Sequence, residues 1–169
     1  IYVRTTFTSQ QKKVKQAVVN ICGLGLYELS INGKKVGNSE FTPLISDYDK
    51  SVWYNTYDVT TLLQKGNNAI GVLLGNGFYN VQRGRYRKLL ISFGPPTVRL
   101  QLTIHYEDGT SQTVASDKTW KYDFSPVTFN CIYGGEDYDA RQEQKGWNMA
   151  KFNDTLWNQV IVQEGPKGV

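Results

Sequence analysis

Hydrophobic and polar residues alternate along much of this chain, which is the pattern of half-buried β-strands. The alternation is clearest in residues 98–106, which are followed by Glu107-Asp108-Gly109 and a return segment at residues 110–114. Because successive strand residues point to opposite faces, this pattern predicts a β-hairpin with one buried face. The predicted inward residues are Leu100, Leu102 and Ile104, and the predicted outward residues are Arg99 and Thr103.

A second hairpin signal lies at Asn32-Gly33, directly after the alternating residues 27–31. Asn-Gly is favoured in two-residue turns because both positions take positive φ, and Val36 is predicted to begin the return strand. Residues 58–63 predict one short helical turn capped by Asp58. Further strands are predicted at residues 1–8, 14–22, 51–58, 68–74, 119–122 and 127–132.

Many short strands separated by turn signals are typical of all-β proteins. We therefore expect one antiparallel β-sandwich or jelly roll over residues 1–169, galactose-binding-like, with at most short helical turns. A chain of 169 residues is long enough to bury a core without disulfides. The final Gly165-Pro166-Lys167-Gly168 is typical of a linker, so we expect an accessory domain excised from a larger multidomain protein.

Charge and composition narrow the class of protein. The formal net charge is +4, but the basic residues are scattered among acidic ones, so nucleic-acid binding is not predicted. No apolar run approaches the about 20 residues of a membrane helix, and no signal peptide is visible. Cys22 and Cys131 lack metal-type spacing; we expect buried free thiols, with a disulfide left open. The single histidine, His105, excludes a site that needs two imidazoles.

Acidic residues are concentrated in two predicted loops. Asp47 and Asp49 flank Tyr48, and Glu136, Asp137 and Asp139 follow two glycines in the later loop. Two carboxyl groups about 5–9 Å apart can hydrolyse a glycoside, and loop carboxylates can bind Ca²⁺. Neither loop has the residue spacing of a dedicated calcium loop. Carboxylates that stabilise turns are the third interpretation.

Aromatic residues make up 13% of the chain, and some follow turn signals. An exposed ring can stack on the apolar face of a sugar, whereas a buried ring packs in a core. Trp120, Trp147 and Trp157 are predicted to face the core; Trp53, Phe78 and Tyr79 are predicted to lie at the surface. The loops at 47–49, 76–79 and 136–139 are expected to meet at one end of the sandwich. The candidate ligand-binding residues are Asp47, Trp53, Asn76, Tyr79, Glu136 and Asp139.

An ordered set of motifs covers the chain from about Gly25 to Trp157. The blocks are YELSING, SDYDKS, TYDVT, GNGFYN, IYGGEDYDAR and finally KGW with DTLW. In this order they resemble the N-terminal β-sandwich domain of bacterial α-L-rhamnosidases, which are glycoside hydrolases. The resemblance implies a modular enzyme in which a separate (α/α)₆ barrel of the same polypeptide cleaves terminal L-rhamnose.

The same resemblance implies an accessory, non-catalytic role for this chain. In some relatives a sandwich of this kind binds L-rhamnose through Ca²⁺, and the parent enzyme is expected to be secreted or periplasmic. The calcium site of those relatives has no residue-by-residue match in this sequence. Two other functions stay open: an independent glycosidase that uses Asp47 and Glu136, and an adhesion or interaction domain without a sugar role.

Overall fold

Two antiparallel β-sheets form the body of the protein. The structure is a computed structural model that describes residues 1–81, 85 and 89–165. Two single-turn 3₁₀ helices lie at Thr60–Leu62 and Ala140–Gln142. The strands are β1 Tyr2–Thr8, β2 Val14–Leu24, β3 Leu26–Ile31, β4 Lys34–Lys35, β5 Asn55–Asp58, β6 Asn67–Gly75, β7 Asn80–Val81, β8 Ile91–Ser92, β9 Thr97–Tyr106, β10 Ser111–Ala115, β11 Lys121–Asp123, β12 Val127–Cys131, β13 Gly135–Tyr138 and β14 Asn158–Gln159.

The larger sheet has the order β14-β11-β1-β6-β3-β4, and the smaller sheet has the order β10-β9-β2-β5. Two ribbons, β12-β13 and β7-β8, lie outside these sheets. Apolar side chains from the inner faces of both sheets form one core, because each strand points alternate residues inward. The predicted antiparallel β-sandwich with only short helical turns is confirmed.

The predicted faces of β9 are confirmed. Leu100, Leu102 and Ile104 are buried in the core between the sheets, whereas Arg99 is exposed on the outer face. β9 pairs with β2 on one side and with β10 on the other. The predicted hairpin with the 110–114 segment is therefore confirmed, and the pairing of β9 with β2 is added by the structure.

The Asn32-Gly33 turn is confirmed, but the predicted start of its return strand is wrong. Asn32 and Gly33 have φ of +51° and +79°, which is the conformation of a type I′ turn. In such a turn the next residue pairs at once, so Lys34 lies opposite Ile31 and β4 begins there rather than at Val36. Val36 is buried beyond the end of this two-residue strand.

Several predicted boundaries also shift. Of the predicted strand at 51–58 only Asn55–Asp58 pairs with β2, and the predicted strand at 119–122 is found at Lys121–Asp123. The predicted helical turn is present at Thr60–Leu62, but its N-cap is Val59 rather than the predicted Asp58. Asp58 Oδ1 accepts a hydrogen bond from the Thr60 N–H at 2.9 Å. Both cysteines are free thiols; Cys131 is buried and Cys22 is half-buried. None of the described helices is long and apolar enough to cross a membrane.

Residues 144–157, here called the C-terminal strap, lie against the outer face of the larger sheet. The Trp147 ring stacks on Tyr2 of β1 with 4.1 Å between ring centroids. Arg4 Nη2 donates to the Met149 carbonyl at 2.9 Å, and Arg4 also pairs with Asp154. Trp120 lies in the core, as predicted. Trp147 and Trp157 were also predicted to face the core, but both stack on Tyr2 in this outer layer, where Trp157 is buried and Trp147 is half-buried.

Candidate functional site

Two of the three segments predicted to converge, residues 47–49 and 76–79, meet at one end of the sandwich. The third contribution there comes from Asn130 and Tyr133 of the β12-β13 ribbon rather than from residues 136–139. The Tyr48 ring contacts the Tyr79 ring edge-on, with 5.1 Å between centroids. The Asn76 backbone N–H donates to Asn130 Oδ1 at 2.7 Å, which ties the 76–79 loop to β12. Phe78 also contacts the Tyr133 ring at the tip of the β12-β13 ribbon, at 5.8 Å. These contacts join the 47–49 loop, the 76–79 loop and the ribbon into one end surface.

The Gly75-Asn76-Gly77 break after β6 is a turn that the protein itself stabilises. Asn76 Nδ2 donates to the Asn130 carbonyl at 3.0 Å, and Asn76 Oδ1 accepts from Asn80 Nδ2 at 2.8 Å. Gly77 has φ +53°, and a Cβ there would lie 2.9 Å from the Leu26 nitrogen. Both ends of the Asn76 side chain are therefore engaged within the fold.

The predicted surface position of Tyr79 is wrong. Its side chain is only 8% exposed, stacks on Phe93 at 5.7 Å and donates its hydroxyl to the Phe93 carbonyl at 3.2 Å. Burial is possible because the ring packs among aromatic neighbours while the hydroxyl keeps a hydrogen bond. Trp53, by contrast, is 58% exposed, so its predicted surface position is confirmed.

The carboxylates at this end are separated and make local interactions. Asp47 pairs with Lys50 at 2.8 Å, and the hydrogen bond from Lys50 lowers the pKa of Asp47. Glu136 is exposed on β13 opposite Asn130. Asp139 follows Glu136 by three residues, about 10 Å along an extended strand. It caps the turn at Ala140–Gln142, and its hydrogen bond from Arg141 lowers the pKa of Asp139 to about 2.

The pKa shifts of Asp47 and Asp139 are opposite in direction to the shift of a general acid. A catalytic acid in a glycosidase needs a raised pKa, but every resolved shift of a carboxyl pKa in the described ranges is a lowering. Among residues 1–81, 85 and 89–165, no three acidic, histidine or cysteine side chains are grouped so that they could hold a metal ion. Whether Asp47, Glu136 or Asp139 binds a ligand stays a prediction.

A shallow depression of about 340 Å³, here called the sheet groove, lies on the outer face of the smaller sheet. Its floor comes from neighbouring strands, because Cys22 pairs with Arg99 and Asn20 pairs with Gln101 in the β2-β9 ladder. Val52 and Tyr54 form its wall. Val52 also packs on the cluster of Leu24, Tyr48 and Tyr79, so the groove adjoins the loop end.

The sheet groove was not predicted from the sequence. Alternation places Arg99 and Gln101 on the outer face, yet only the pairing with β2 sets them beside Cys22 and Asn20. The groove combines amide side chains with Tyr54, which is 67% exposed, and with one guanidinium. This combination suits a ligand with both a polar rim and an apolar face.

The fold and this end of the molecule define a β-sandwich module in which the Asp47 and Asp139 carboxylates pair with Lys50 and Arg141. A family model described as the Alpha-L-rhamnosidase N-terminal domain matches residues 12–169. The chain belongs to this family.

Three relatives illustrate the match. The chain is 45% identical to an alpha-L-rhamnosidase of Formosa agariphila over 150 residues, which are 86% of this chain and 16% of that protein. The solved alpha-L-rhamnosidase from Dictyoglumus thermophilum is 43% identical with a TM-score of 0.88 and covers 99% of this chain. The Streptomyces avermitilis alpha-L-rhamnosidase, solved in complex with L-rhamnose, is 34% identical with a TM-score of 0.89 over 99% of this chain. The chain spans only 18% and 16% of these two solved chains.

Proposed function

We propose that this chain is the non-catalytic accessory module of an α-L-rhamnosidase. The parent enzyme releases terminal α-L-rhamnose from glycosides, and its catalytic helical-barrel domain is the partner of this module within the same polypeptide. Support comes from the family membership and from the small share, 15–18%, of each curated relative that the chain spans. The absence of a carboxyl group with a raised pKa among the described residues with resolved shifts agrees with a non-catalytic role.

The observation that carries a packing role is the apolar loop, defined here as residues 36–54 between β4 and β5. Phe41, Leu44 and Ile45 in this loop are 74%, 76% and 57% exposed. Phe41 also has φ +52°, which is strained for a bulky side chain. The Thr42 carbonyl accepts a hydrogen bond from the Tyr27 N–H at 2.8 Å, so the loop is held against β3. Exposed apolar groups of this kind mark protein interaction sites.

The test compares two triple variants of the full-length parent polypeptide. The first carries Phe41→Ser, Leu44→Ser and Ile45→Ser; the matched control carries Leu156→Ser, Ile161→Ser and Val162→Ser, which are also exposed apolar residues. We expect only the first set to lower the melting temperature of the parent and to speed proteolytic release of the module. In the separate 169-residue chain both sets should change stability by less than about 1 kcal/mol. Equal behaviour of the two sets in the parent would refute docking through the apolar loop.

The glycosidase alternative is tested by incubating the purified chain with a chromogenic α-L-rhamnoside. We expect no turnover above the buffer blank, because Asp47 is paired with Lys50 and Glu136 is exposed on the two-stranded β12-β13 ribbon. Turnover that disappears in Asp47→Ala or Glu136→Ala would show instead that the chain is an enzyme by itself.

A second candidate function, binding of L-rhamnose-containing glycans, is favoured by the sheet groove and its exposed Tyr54. Few atoms would be buried in so shallow a site, so binding of a monosaccharide should be weak. The test is a calorimetric titration of L-rhamnose with and without Ca²⁺, repeated with Tyr54→Ala and Trp53→Ala. If heat of binding is measured only with Ca²⁺ and is unchanged in Tyr54→Ala, the sugar binds at the loop carboxylates rather than in the sheet groove. If no heat of binding is measured at millimolar sugar, the glycan-binding function is refuted and packing is the only proposed role that stays.

A further inference from the structure

The sheet groove contains a guanidinium that has no acidic partner. Arg99 is exposed on β9 and makes no ion pair with any residue in the described ranges. Some exposed cations have partners: Lys13, Lys50 and Arg141 each hold a carboxylate within 2.8 Å. Others, such as Lys34, make no ion pair in the described ranges, but Arg99 alone among the described cations lines the sheet groove. The lining of the groove contains no carboxylate. The sheet groove therefore carries one uncompensated positive charge.

Neutral polar groups surround this charge. Asn20 Oδ1 accepts a hydrogen bond from the Thr56 hydroxyl at 2.6 Å, which leaves the Asn20 NH₂ group as a donor. Gln101 is exposed beside Asn20 and offers a carbonyl and an NH₂ group. These amides can bind hydroxyl groups, and the Tyr54 ring can contact an apolar face of a sugar. A volume of about 340 Å³ lies at the small end of ligand sites, so one or two sugar units would fill it.

We propose that the sheet groove binds a saccharide that carries a carboxylate, with Arg99 as the residue that recognises the acid group. This inference rests on the glycan-binding function proposed above and names the ligand class for the same site. The guanidinium matches a carboxylate because two parallel N–H groups can bond its two oxygens. A single cation neutralises the single charge of a uronic acid, whereas a phosphate dianion would keep a net charge in the groove. Asn20 and Gln101 then bind ring hydroxyls, and Tyr54 covers the opposite sugar face.

The test titrates the chain with D-glucuronate and D-glucose, and with D-galacturonate and D-galactose, by calorimetry or NMR. In each pair the two sugars differ in whether a carboxylate is present. We expect at least one uronate to bind about tenfold more tightly than its neutral counterpart, because the paired charge adds to the hydroxyl contacts that both sugars make. Arg99→Gln should abolish this preference. Lys34→Gln, which removes an exposed positive charge from β4, should preserve it.

Cys22 supplies a readout of where the sugar binds. It lies in the groove beside Arg99 and is half-buried, whereas Cys131 is buried elsewhere. Iodoacetamide labelling at mildly alkaline pH, chosen because burial raises the pKa of the Cys22 thiol, should be slowed by the preferred uronate. The neutral sugar at the same concentration should slow it less. Cys131 should stay unmodified throughout.

Each outcome has one meaning. A neutral sugar that binds as tightly as its uronate, or a preference that survives Arg99→Gln, overturns the inference but leaves glycan binding intact. Inorganic phosphate that protects Cys22 as well as the uronate shows a general anion site and also overturns it. If no uronate binds and none protects Cys22, the inference fails, and the L-rhamnose titration described above decides the glycan-binding proposal separately.

Discussion

The absence of a side chain at Gly71 lets the C-terminal strap lie against the larger sheet. Gly71 is buried in the middle of β6, opposite Arg4 of β1 and Ser30 of β3. A Cβ built there would lie 2.7 Å from both Trp147 and Asn148, which real Cβ contacts do not reach. The strap therefore contacts the backbone of the sheet directly at Gly71.

We predict that Gly71→Ala destabilises the chain by about 1–3 kcal/mol, as overpacking of a well-packed site does. Gly71 does not have positive φ, so the loss would come from displacing Trp147 rather than from backbone strain. Urea unfolding of the chain measures it, with Gly165→Ala as control because a Cβ there contacts nothing within 4 Å. Equal stability of the two variants would show that the strap moves away at no cost.

For a single residue, the sequence does not predict which other side chains it contacts. Asn32 was predicted as a turn residue, and it is one, but its side chain also accepts from the Ala69 N–H at 2.9 Å and donates to Asn68 at 2.8 Å. Tyr79 was predicted at the surface because it follows a turn, and it is buried against Tyr48. Both outcomes depend on which distant segment arrives beside the residue.

The carboxylate of Asp108 stabilises the turn of the β9-β10 hairpin. Asp108 Oδ1 accepts hydrogen bonds from the Thr110 N–H at 3.0 Å and from the Thr110 hydroxyl at 2.6 Å. Lys12 Nζ lies 2.7 Å from the other Asp108 oxygen, which attaches the turn to the segment before β2. The hydrogen bonds from Lys12 and Thr110 lower the pKa of Asp108 from 3.8 to about 2.

We predict that Asp108 makes the hairpin sensitive to acid. A carboxyl group whose pKa is lower in the folded state stabilises that state above its unfolded pKa of 3.8 and loses this contribution as pH falls towards about 2. The urea midpoint should therefore fall less between pH 5 and pH 2 in Asp108→Asn than in the parent chain. Glu164→Gln removes an exposed carboxyl that makes no ion pair among the described residues and should follow the parent chain. Parallel pH curves for all three proteins would contradict the prediction.

Strong alternation was enough to predict β9 and its inward face, and an Asn-Gly signal was enough to predict the first hairpin. The two-residue strands β7, β8 and β14 and the strand β13 were not predicted. All four residues of β13 are exposed, so no alternation of buried positions marks it. Such strands form because a partner strand is already in place, and their own residues carry little preference for the sheet.

At the scale of the whole molecule, a buried charge joins the start of the described chain to its end. The Arg4 side chain is fully buried, pairs with Asp154 and lies over the Phe152 ring with 5.4 Å to the centroid. Lys121 of β11 also pairs with Asp154, at 2.8 Å. Burial lowers the pKa of the Arg4 guanidinium, which reflects the cost of taking this charge out of water.

We predict that Asp154→Asn destabilises the chain by about 3 kcal/mol, because it leaves the Arg4 charge buried without its acid. Arg4→Met should cost less, since Asp154 keeps Lys121 and stays in contact with water. Asp137→Asn removes an exposed pair with Arg85 and should cost less than about 1 kcal/mol. Urea unfolding ranks the three variants, and hydrogen exchange should show loss of protection in the strap for Asp154→Asn alone. A larger loss of unfolding free energy in Arg4→Met than in Asp154→Asn would contradict the prediction that the unpaired buried charge of Arg4 is the costly group.

The sandwich fold and the meeting of the 47–49 and 76–79 loops could be predicted because both follow from general rules of sheet packing and chain order. The sheet groove could not, because it depends on the lateral neighbours of β9. Its floor joins residues about 80 positions apart, such as Asn20 and Gln101, and no local pattern sets their register. The strap likewise depends on a contact between Arg4 and Asp154.

The position of β1 has a consequence for how this protein is made. β1 pairs with β6 as soon as Gly75 has left the ribosome, but its other neighbour begins 46 residues later, at Lys121. At about 5–20 residues per second this wait is about 2 to 9 s, which is long beside the folding of a small domain. During that interval one edge of β1 is an open template for strands of neighbouring nascent chains. The period of exposure to mispairing is therefore set by the speed of translation rather than by the speed of folding.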